Sequence, residues 1–289
     1  MTEETPISEL LEDATARLTD SSESPRLDAE LLLARAIDMP RSYLFAHPED
    51  VPDEAAIARF EGTVRRRVNG EPMAYIMGVR EFWSMELMVT PATLVPRPET
   101  EILVDRALGM IPRKAEYRVL DLGTGSGAIA LAIARERPLC HVVAIDLSVD
   151  ALAVAAQNAR HLDLGNIEFR HGDWTDPVRS ETFEIVVSNP PYVADEDPAL
   201  GALRHEPASA LAAGADGLDA IRTLAERCLD VLSPGAPLMI EHGADQETEV
   251  RGILAAHEWV EIECHKDYAG LPRVTAARSP TAHASHDET

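Results

Sequence analysis

Apolar residues recur at helical spacing over the first seventy or so positions. Leu10, Leu11, Ala14 and Leu18 form one set, and Leu27, Leu31, Leu32, Ala34 and Ile37 form the next, at the three-to-four-residue interval of a helix face. Pro25, Pro40, Pro48 and Pro52 cut this stretch into short pieces, because proline lacks the backbone N–H that continues a helix. The pattern predicts a small helical domain over residues 1–75. Between 76 and 95 the pattern changes, and Phe82, Trp83, Leu87, Met88 and Val89 predict a short β-hairpin or extended linker. Pro91, Pro96 and Pro98 then restrict the backbone ahead of a helix starting near Glu99.

Beyond Tyr117, apolar runs of strand length alternate with helical patterns. Strands are predicted at 118–121, 141–146, 167–170, 183–187 and 237–240, with two later ones at 260–264 and 274–277. Helices are predicted at 128–135, 149–161 and 218–232. Such alternation implies an α/β domain over residues 96–278, with a mostly parallel sheet and helices on both faces. The small polar residues 279–289 are predicted to form a disordered tail.

Charge and cysteine usage narrow the setting. No run of 18 apolar residues occurs, so no transmembrane helix is predicted, and the acidic start Met1–Pro6 lacks the apolar stretch of a signal peptide. Cys140, Cys228 and Cys264 are scattered, without a C-x-x-C. They read as reduced, mostly core residues of a cytoplasmic chain. The formal charge is −24, which opposes a phosphate backbone as partner; neither direct nucleic-acid binding nor a membrane is expected. Arg65-Arg66-Arg67, the one strong basic cluster, reads as a solvated helix face. The ten histidines contain no H-x-H or H-x-x-x-H pair, so no metal site is predicted, and no G-x-S-x-G is present.

Asp121-Leu-Gly-Thr-Gly-Ser-Gly127 lies between a predicted strand and helix. Gly123, Gly125 and Gly127 let the backbone turn sharply and approach a ligand, with Thr124 and Ser126 between them. The following helix offers unpaired N–H groups and the positive end of its dipole. Asp146 ends the next strand, where a carboxylate can accept both hydroxyls of a ribose. These features suit a nucleotide-like cofactor but leave dehydrogenase and methyltransferase equally open, since Gly123, Gly125 and Ala128 also fit G-x-G-x-x-G/A.

Ser188-Asn189-Pro190-Pro191-Tyr192 separates the two. It follows the fourth strand, at the carboxyl edge where open α/β sheets bind ligands. Two prolines stiffen the loop. The Asn189 side-chain carbonyl and the Pro190 backbone carbonyl can accept both hydrogens of one NH₂ group, and Tyr192 can pack on that planar group. Hydride transfer has no use for such a site, whereas methyl transfer from S-adenosylmethionine to nitrogen does. Asp173 and Trp174 follow the third strand, where the carboxylate could accept an adenine amino group and the indole could cover its ring. Glu99 and Glu101 read first as helix N-terminal acids.

At this point the chain resembles the glutamine N5-methyltransferases of peptide chain release factors. The resemblance rests on residues 121–129 and 188–192 together with Val95-Pro-Arg-Pro-Glu-Thr-Glu101 and Gly78-Val-Arg-Glu-Phe-Trp83. Glu206-Pro207, Glu241-His-Gly243, Asp267-Tyr-Ala-Gly270 and Arg273 add to it. It runs from about Glu71 to Arg278. It implies a seven-stranded, Rossmann-like class I methyltransferase domain behind a helical N-terminal domain that recognises the substrate protein. It also implies that Gly123–Gly127, Asp146, Trp174 and Asn189 contact S-adenosylmethionine. Asn189, Pro190, Pro191 and Tyr192 would hold a glutamine in a Gly-Gly-Gln loop, with Asn189, Pro190 and Tyr192 as the catalytic set. His205 stands where relatives often carry Phe. Two other readings use the same residues: an adenine-amino methyltransferase acting on nucleic acid, and a cofactor-binding scaffold without catalysis.

Overall fold

The computed structural model describes residues 5–281, and the chain divides into two compact units, residues 1–78 and 79–289. The first unit is helical: α1 (Ile7–Leu18), α2 (Pro25–Ala36), α3 (Arg41–Ala46), α4 (Glu54–Val68) and α5 (Met73–Met77). Its core gathers Leu11, Leu18, Leu32, Leu33, Phe60 and Val64. The predicted apolar face of α2 is rotated. Leu27 is exposed, Leu33 is buried, and Asp28 and Glu30 lie on the buried side. They are tolerated there because Arg67 reaches Asp28 at 2.8 Å and Arg26 and Arg41 reach Glu30 at 2.8 and 2.9 Å. The basic cluster is therefore not a uniformly solvated face: Arg65 and Arg66 are exposed, but Arg67 turns inward as a structural counter-ion.

The second unit opens with a hairpin of β1 (Val79–Phe82) and β2 (Met85–Met88), closed by Trp83 and Ser84, both at positive φ. Two consecutive left-handed residues match the twist of the flanking strands. Glu101 and Glu81 stabilise the turn by accepting the Trp83 and Ser84 N–H groups at 2.8 and 2.7 Å. There follow α6 (Glu101–Met110), β3 (Arg118–Leu122), α7 (Ala128–Glu136), β4 (His141–Asp146), α8 (Val149–His161), β5 (Ile167–His171) and β6 (Ile185–Ser188). Then come α9 (Ala199–Ala202), α10 (Asp219–Arg227), β7 (Pro237–Glu241), α11 (Glu247–Ala256), β8 (Val260–Lys266) and β9 (Pro272–Arg278). The helix predicted at 218–232 ends at Arg227 and tightens into a 3-10 turn, Cys228–Asp230.

The sheet has the order β5-β4-β3-β6-β7-β9-β8, parallel except for β9, which runs antiparallel to both neighbours. One face packs on α6, α7 and the hairpin, through Leu103, Ile133 and Phe82; the other packs on α10 and α11, through Ile221 and Leu254. Because both faces are covered, β6 and β7 are buried along their whole length, as continuous apolar strands of parallel sheets are. The chain leaves β3 toward β4 and β5 on one side and returns to β6 and β7 on the other. This reversal opens a crevice at the carboxyl ends of β3 and β6. Ser279 is not part of a disordered tail. It is buried, with its N–H on the Ala236 carbonyl at 3.0 Å and its hydroxyl on Ser233 at 2.8 Å; the predicted tail from 282 lies outside the described residues.

Candidate active site

The glycine loop crosses from β3 to α7 at this crevice. Gly123 and Thr124 both donate to the Ile145 carbonyl, at 2.9 and 3.0 Å. Gly123, Gly125 and Gly127 have φ of +74°, +57° and +86°. At Gly127 a side chain is excluded twice, since a Cβ would also lie 2.9 Å from Leu131. Asp146, ending β4, accepts the Gly125 N–H and the Ser148 N–H, each at 2.8 Å. It braces the loop, and each carboxylate oxygen keeps a further lone pair for a ribose hydroxyl. From beneath, buried Asp121 accepts the Thr124 hydroxyl at 2.6 Å. Burial pushes its carboxyl up to about 7, and its Oδ1 has no partner among the described residues.

A cavity of about 410 Å³ lies over this loop, within the range of small-molecule sites. Gly123, Thr124, Gly125, Ser126, Asp146, Asp173, Trp174, Asn189 and Pro191 line it; Gly127, Pro190 and Tyr192 do not. A Cβ on Gly123 would sit 3.8 Å from Trp174 Cζ3 and 3.9 Å from the Asn189 carbonyl oxygen, so indole and Asn189 converge on the first glycine. Asp173 has a partner that the sequence did not suggest: its Oδ2 pairs with Arg227 at 3.0 Å, so the carboxylate is already engaged on one side.

The loop after β6 is held from several sides. The Ser188 hydroxyl donates to the Leu122 carbonyl at 2.7 Å, tying β6 to β3. The Tyr192 carbonyl accepts from Gln246 Nε2 at 3.0 Å. Gly217, at φ +74°, must be glycine because a Cβ would lie 2.5 Å from that same carbonyl. Asn189 Nδ2 donates to Thr100 Oγ1 at 3.2 Å. Asn189 Oδ1 is buried and has no partner among the described residues, although buried acceptors are nearly always satisfied. The Tyr192 hydroxyl reaches Glu241 Oε1 at 3.5 Å, and burial, followed by the Glu241 charge, raises its pKa well above that of an ordinary phenol.

Thr100 and Glu241 are the residues to which the sequence assigned no role. Glu241 is buried at the end of β7. Burial pushes its carboxyl up to about 7 and Glu99 pushes the same way, while the Thr100 hydroxyl, Arg273 and Tyr192 pull it down. Its neighbour His242 is neutral in character, its pKa lowered chiefly by burial, with Nε2 on the Thr275 hydroxyl and Nδ1 on the Gly243 carbonyl, each at 2.8 Å. Glu206 accepts the Val95 N–H at 3.0 Å and pairs with Arg97, which fixes the Val95–Arg97 segment at the cavity edge. Of the two acids noted in the sequence, Glu101 holds the hairpin turn and Glu99 acts on Glu241. A signal for Glu241 was present: a carboxylate closing an otherwise apolar strand, as Asp146 closes β4.

Residues 9–78 match a family model described as the PrmC N-terminal domain, and residues 113–265 match a methyltransferase domain. A release factor glutamine methyltransferase of Coxiella burnetii is 44% identical over 272 residues, covering 94% of this chain and 98% of that protein. The protein of the same description from Xylella fastidiosa is 46% identical over 273 residues, covering 94% and 97%. Among solved structures, a methyltransferase from Pyrococcus furiosus superposes with a TM-score of 0.52 at 16% identity, over 68% of this chain and 89% of that one, a likeness of fold alone.

Proposed function

The chain belongs to the family of release factor glutamine methyltransferases, and from that premise we propose how its own residues carry out the transfer. The reaction moves a methyl group from S-adenosylmethionine to the side-chain amide nitrogen of the glutamine in the Gly-Gly-Gln loop of a release factor. The observation that carries this reading is the orphaned Asn189 Oδ1, buried beside the cavity without a donor. A primary amide supplies the missing donor, and the Pro190 carbonyl accepts its second hydrogen.

Gly123, Thr124, Gly125, Ser126 and Asp146 would hold the cofactor, with Gly127 shaping the turn behind them, and Trp174, with Asp173, would border its adenine end. The cofactor supplies an electrophilic methyl on a sulfonium. Asn189 and Pro190 orient the amide nitrogen toward that methyl, with Pro191 stiffening the loop and Tyr192 flanking the amide plane. The methyl lost by the sulfonium would be gained by the amide nitrogen, whose surplus proton would pass to solvent. An amide nitrogen is a poor nucleophile, so orientation is the main resource; well-aligned reactants gain on the order of 7–11 kcal/mol. Hydrogen bonds from the amide to two fixed acceptors strengthen as positive charge develops on nitrogen.

The helical unit, which leaves Met39, Phe45 and Val51 exposed, grips the release factor in this reading. A glutamine on a short loop offers far less than the ~1,600 Å² that stable complexes bury. A chain beginning at Val79 is expected to keep its affinity for S-adenosylhomocysteine and lose most of its activity on whole release factor. The cytoplasm, where release factors work in translation termination, is the expected location, and no helix among the described residues is long and apolar enough to cross a membrane. The test of function offers labelled cofactor with release factor, DNA and tRNA separately. Label on release factor alone supports the reading, and label on adenine in DNA or tRNA overturns it.

A further inference from the structure

We propose that Gln246 is a positioning residue for methyl transfer: its side-chain amide clamps the Tyr192 carbonyl and thereby sets where the Asn189 and Pro190 acceptors stand. The inference rests on the amide-methylation reading above and deepens it. Gln246 does not line the cavity; it acts through the loop that does.

Gln246 stands at the start of α11 and is first fixed to Gly243. Its backbone N–H donates to the Gly243 carbonyl at 3.1 Å, and its side-chain Oε1 accepts the Gly243 N–H at 2.9 Å. Two bonds to one residue close a ring and hold the side chain in a single pose. Nε2 then donates to the Tyr192 carbonyl at 3.0 Å. A backbone N–H only donates and a backbone carbonyl only accepts, so this amide fits one way round. Gly217 packs on the same bond: a Cβ there would lie 2.5 Å from the Tyr192 carbonyl oxygen and 3.1 Å from Gln246 Nε2. The carbonyl is confined between a fixed donor and a backbone position that has no room for a side chain.

The bond completes the hold on one peptide plane. The peptide between Tyr192 and Val193 has its N–H on the Leu211 carbonyl at 2.9 Å and its C=O on Gln246 at 3.0 Å. In a planar trans peptide these two groups point to opposite edges, so the plane is pinned from both sides. Without Gln246 it is held from one edge and can swing. The β7–α11 connection also meets the far end of the residue, since the Tyr192 hydroxyl lies 3.5 Å from Oε1 of Glu241, the last residue of β7. At the other end of the loop, the Ser188 hydroxyl is tied to the Leu122 carbonyl at 2.7 Å. Between these anchors Pro190 and Pro191 have φ locked by their rings. A swing at Tyr192 therefore finds few torsions to absorb it and passes to the Pro190 carbonyl and to Asn189, the two groups that orient the substrate amide.

The experiment is methylation of release factor by the full chain at saturating S-adenosylmethionine, over a range of release factor concentrations that separates kcat from KM. Thermal melts and S-adenosylhomocysteine calorimetry serve as controls. Gln246→Glu keeps the size of the side chain and the acceptor for Gly243, but sets an oxygen against the Tyr192 carbonyl oxygen. Its kcat should fall roughly 10–100-fold, as a misplacement of up to an ångström costs, with KM and cofactor affinity unchanged. Gln246→Ala removes the donor without adding a charge and should lose less. A wild-type kcat in Gln246→Glu overturns the clamp. So does a rise in KM or a loss of cofactor affinity as large as the loss of kcat, because Gln246 would then shape a binding surface. If Gln246→Glu fails to fold, the split between kcat and KM in Gln246→Ala decides. Failure of both to fold also overturns the clamp, since Gln246 would then serve the fold and not the transfer. A wild-type chain that methylates no release factor overturns the amide reading, and the clamp with it; one that does so beside a Gln246→Glu variant of equal kcat overturns the clamp alone.

Discussion

The glycine loop after β3 and the amide cradle after β6 stand at adjacent strand ends and are built in opposite ways. The loop is local. Its three glycines occur within five residues, and its brace, Asp146, lies 21 residues from Gly125. The cradle is assembled from distant segments, with Asn189 bonded to Thr100 across 89 residues and Tyr192 beside Glu241 across 49. The loop holds a ligand with backbone, which needs only the right φ angles. The cradle holds one with side-chain atoms whose donor and acceptor identities must be set by neighbours. Changes in the loop should therefore act on cofactor affinity, and changes in the cradle on the transfer step.

The largest effect expected on this view is at Asn189. Asn189→Ala should slow transfer by ~10²–10³-fold, the cost of one lost transition-state hydrogen bond, while the melting temperature and cofactor affinity stay near wild type. Asn189→Asp keeps an acceptor but adds a charge that stabilises the sulfonium before transfer, so it should be impaired, though less than Ala. Single-turnover kinetics with both ligands saturating reads both. Equal losses of rate and cofactor affinity in Asn189→Ala would erase the division between loop and cradle.

A second effect is on stability. The Glu241 carboxyl is raised from 4.5 to about 7 in the folded chain, so folding favours its protonated form. Its contribution is fully present below pH 4.5, declines as the pH rises toward about 7, and is lost above that. The span corresponds to at most roughly 3 kcal/mol. Glu241→Gln should therefore be more stable than wild type above pH 7, with the difference shrinking in acid. Denaturant titrations at several pH values check this, and a less stable Gln variant in alkali would show that the ionised carboxylate supports the fold.

Asp146→Ala should weaken S-adenosylhomocysteine binding by about 1–3 kcal/mol, as for hydrogen bonds to a charged group, with the rate recovered at saturating cofactor. Calorimetry beside saturation kinetics would contradict this if affinity held and the rate fell. The smallest effect is at Asp173. Its pair with Arg227 is partly exposed, so Asp173→Asn should cost under about 1 kcal/mol in stability and little in cofactor affinity. A loss in calorimetry as large as that of Asp146→Ala would place Asp173 on the adenine after all.

This difference also explains what could be read from the sequence. The α/β alternation, the hairpin and the glycine loop follow from periodicities of two and three-to-four residues and from glycine at left-handed positions, which are local properties. Asn189 was legible because its prolines and tyrosine are contiguous with it. Thr100 was not, since a threonine near a helix start ordinarily reads as a cap, and its partner lies on another strand end. The rotation of α2 was hidden for the same reason: Asp28 and Glu30 are tolerable inside only because arginines elsewhere meet them. Ser279 looked like tail because its composition carries no trace of the Ser233 and Ala236 carbonyls that hold it.

The most direct test locates the methyl group. Purified release factor is treated with the full chain and S-adenosylmethionine, digested, and its fragments sequenced by mass spectrometry, alongside a release factor whose Gly-Gly-Gln glutamine is replaced by alanine. One methyl is expected on the side-chain nitrogen of that glutamine and none on the replaced protein. A methyl on any other residue, or equal labelling of the two release factors, would contradict it.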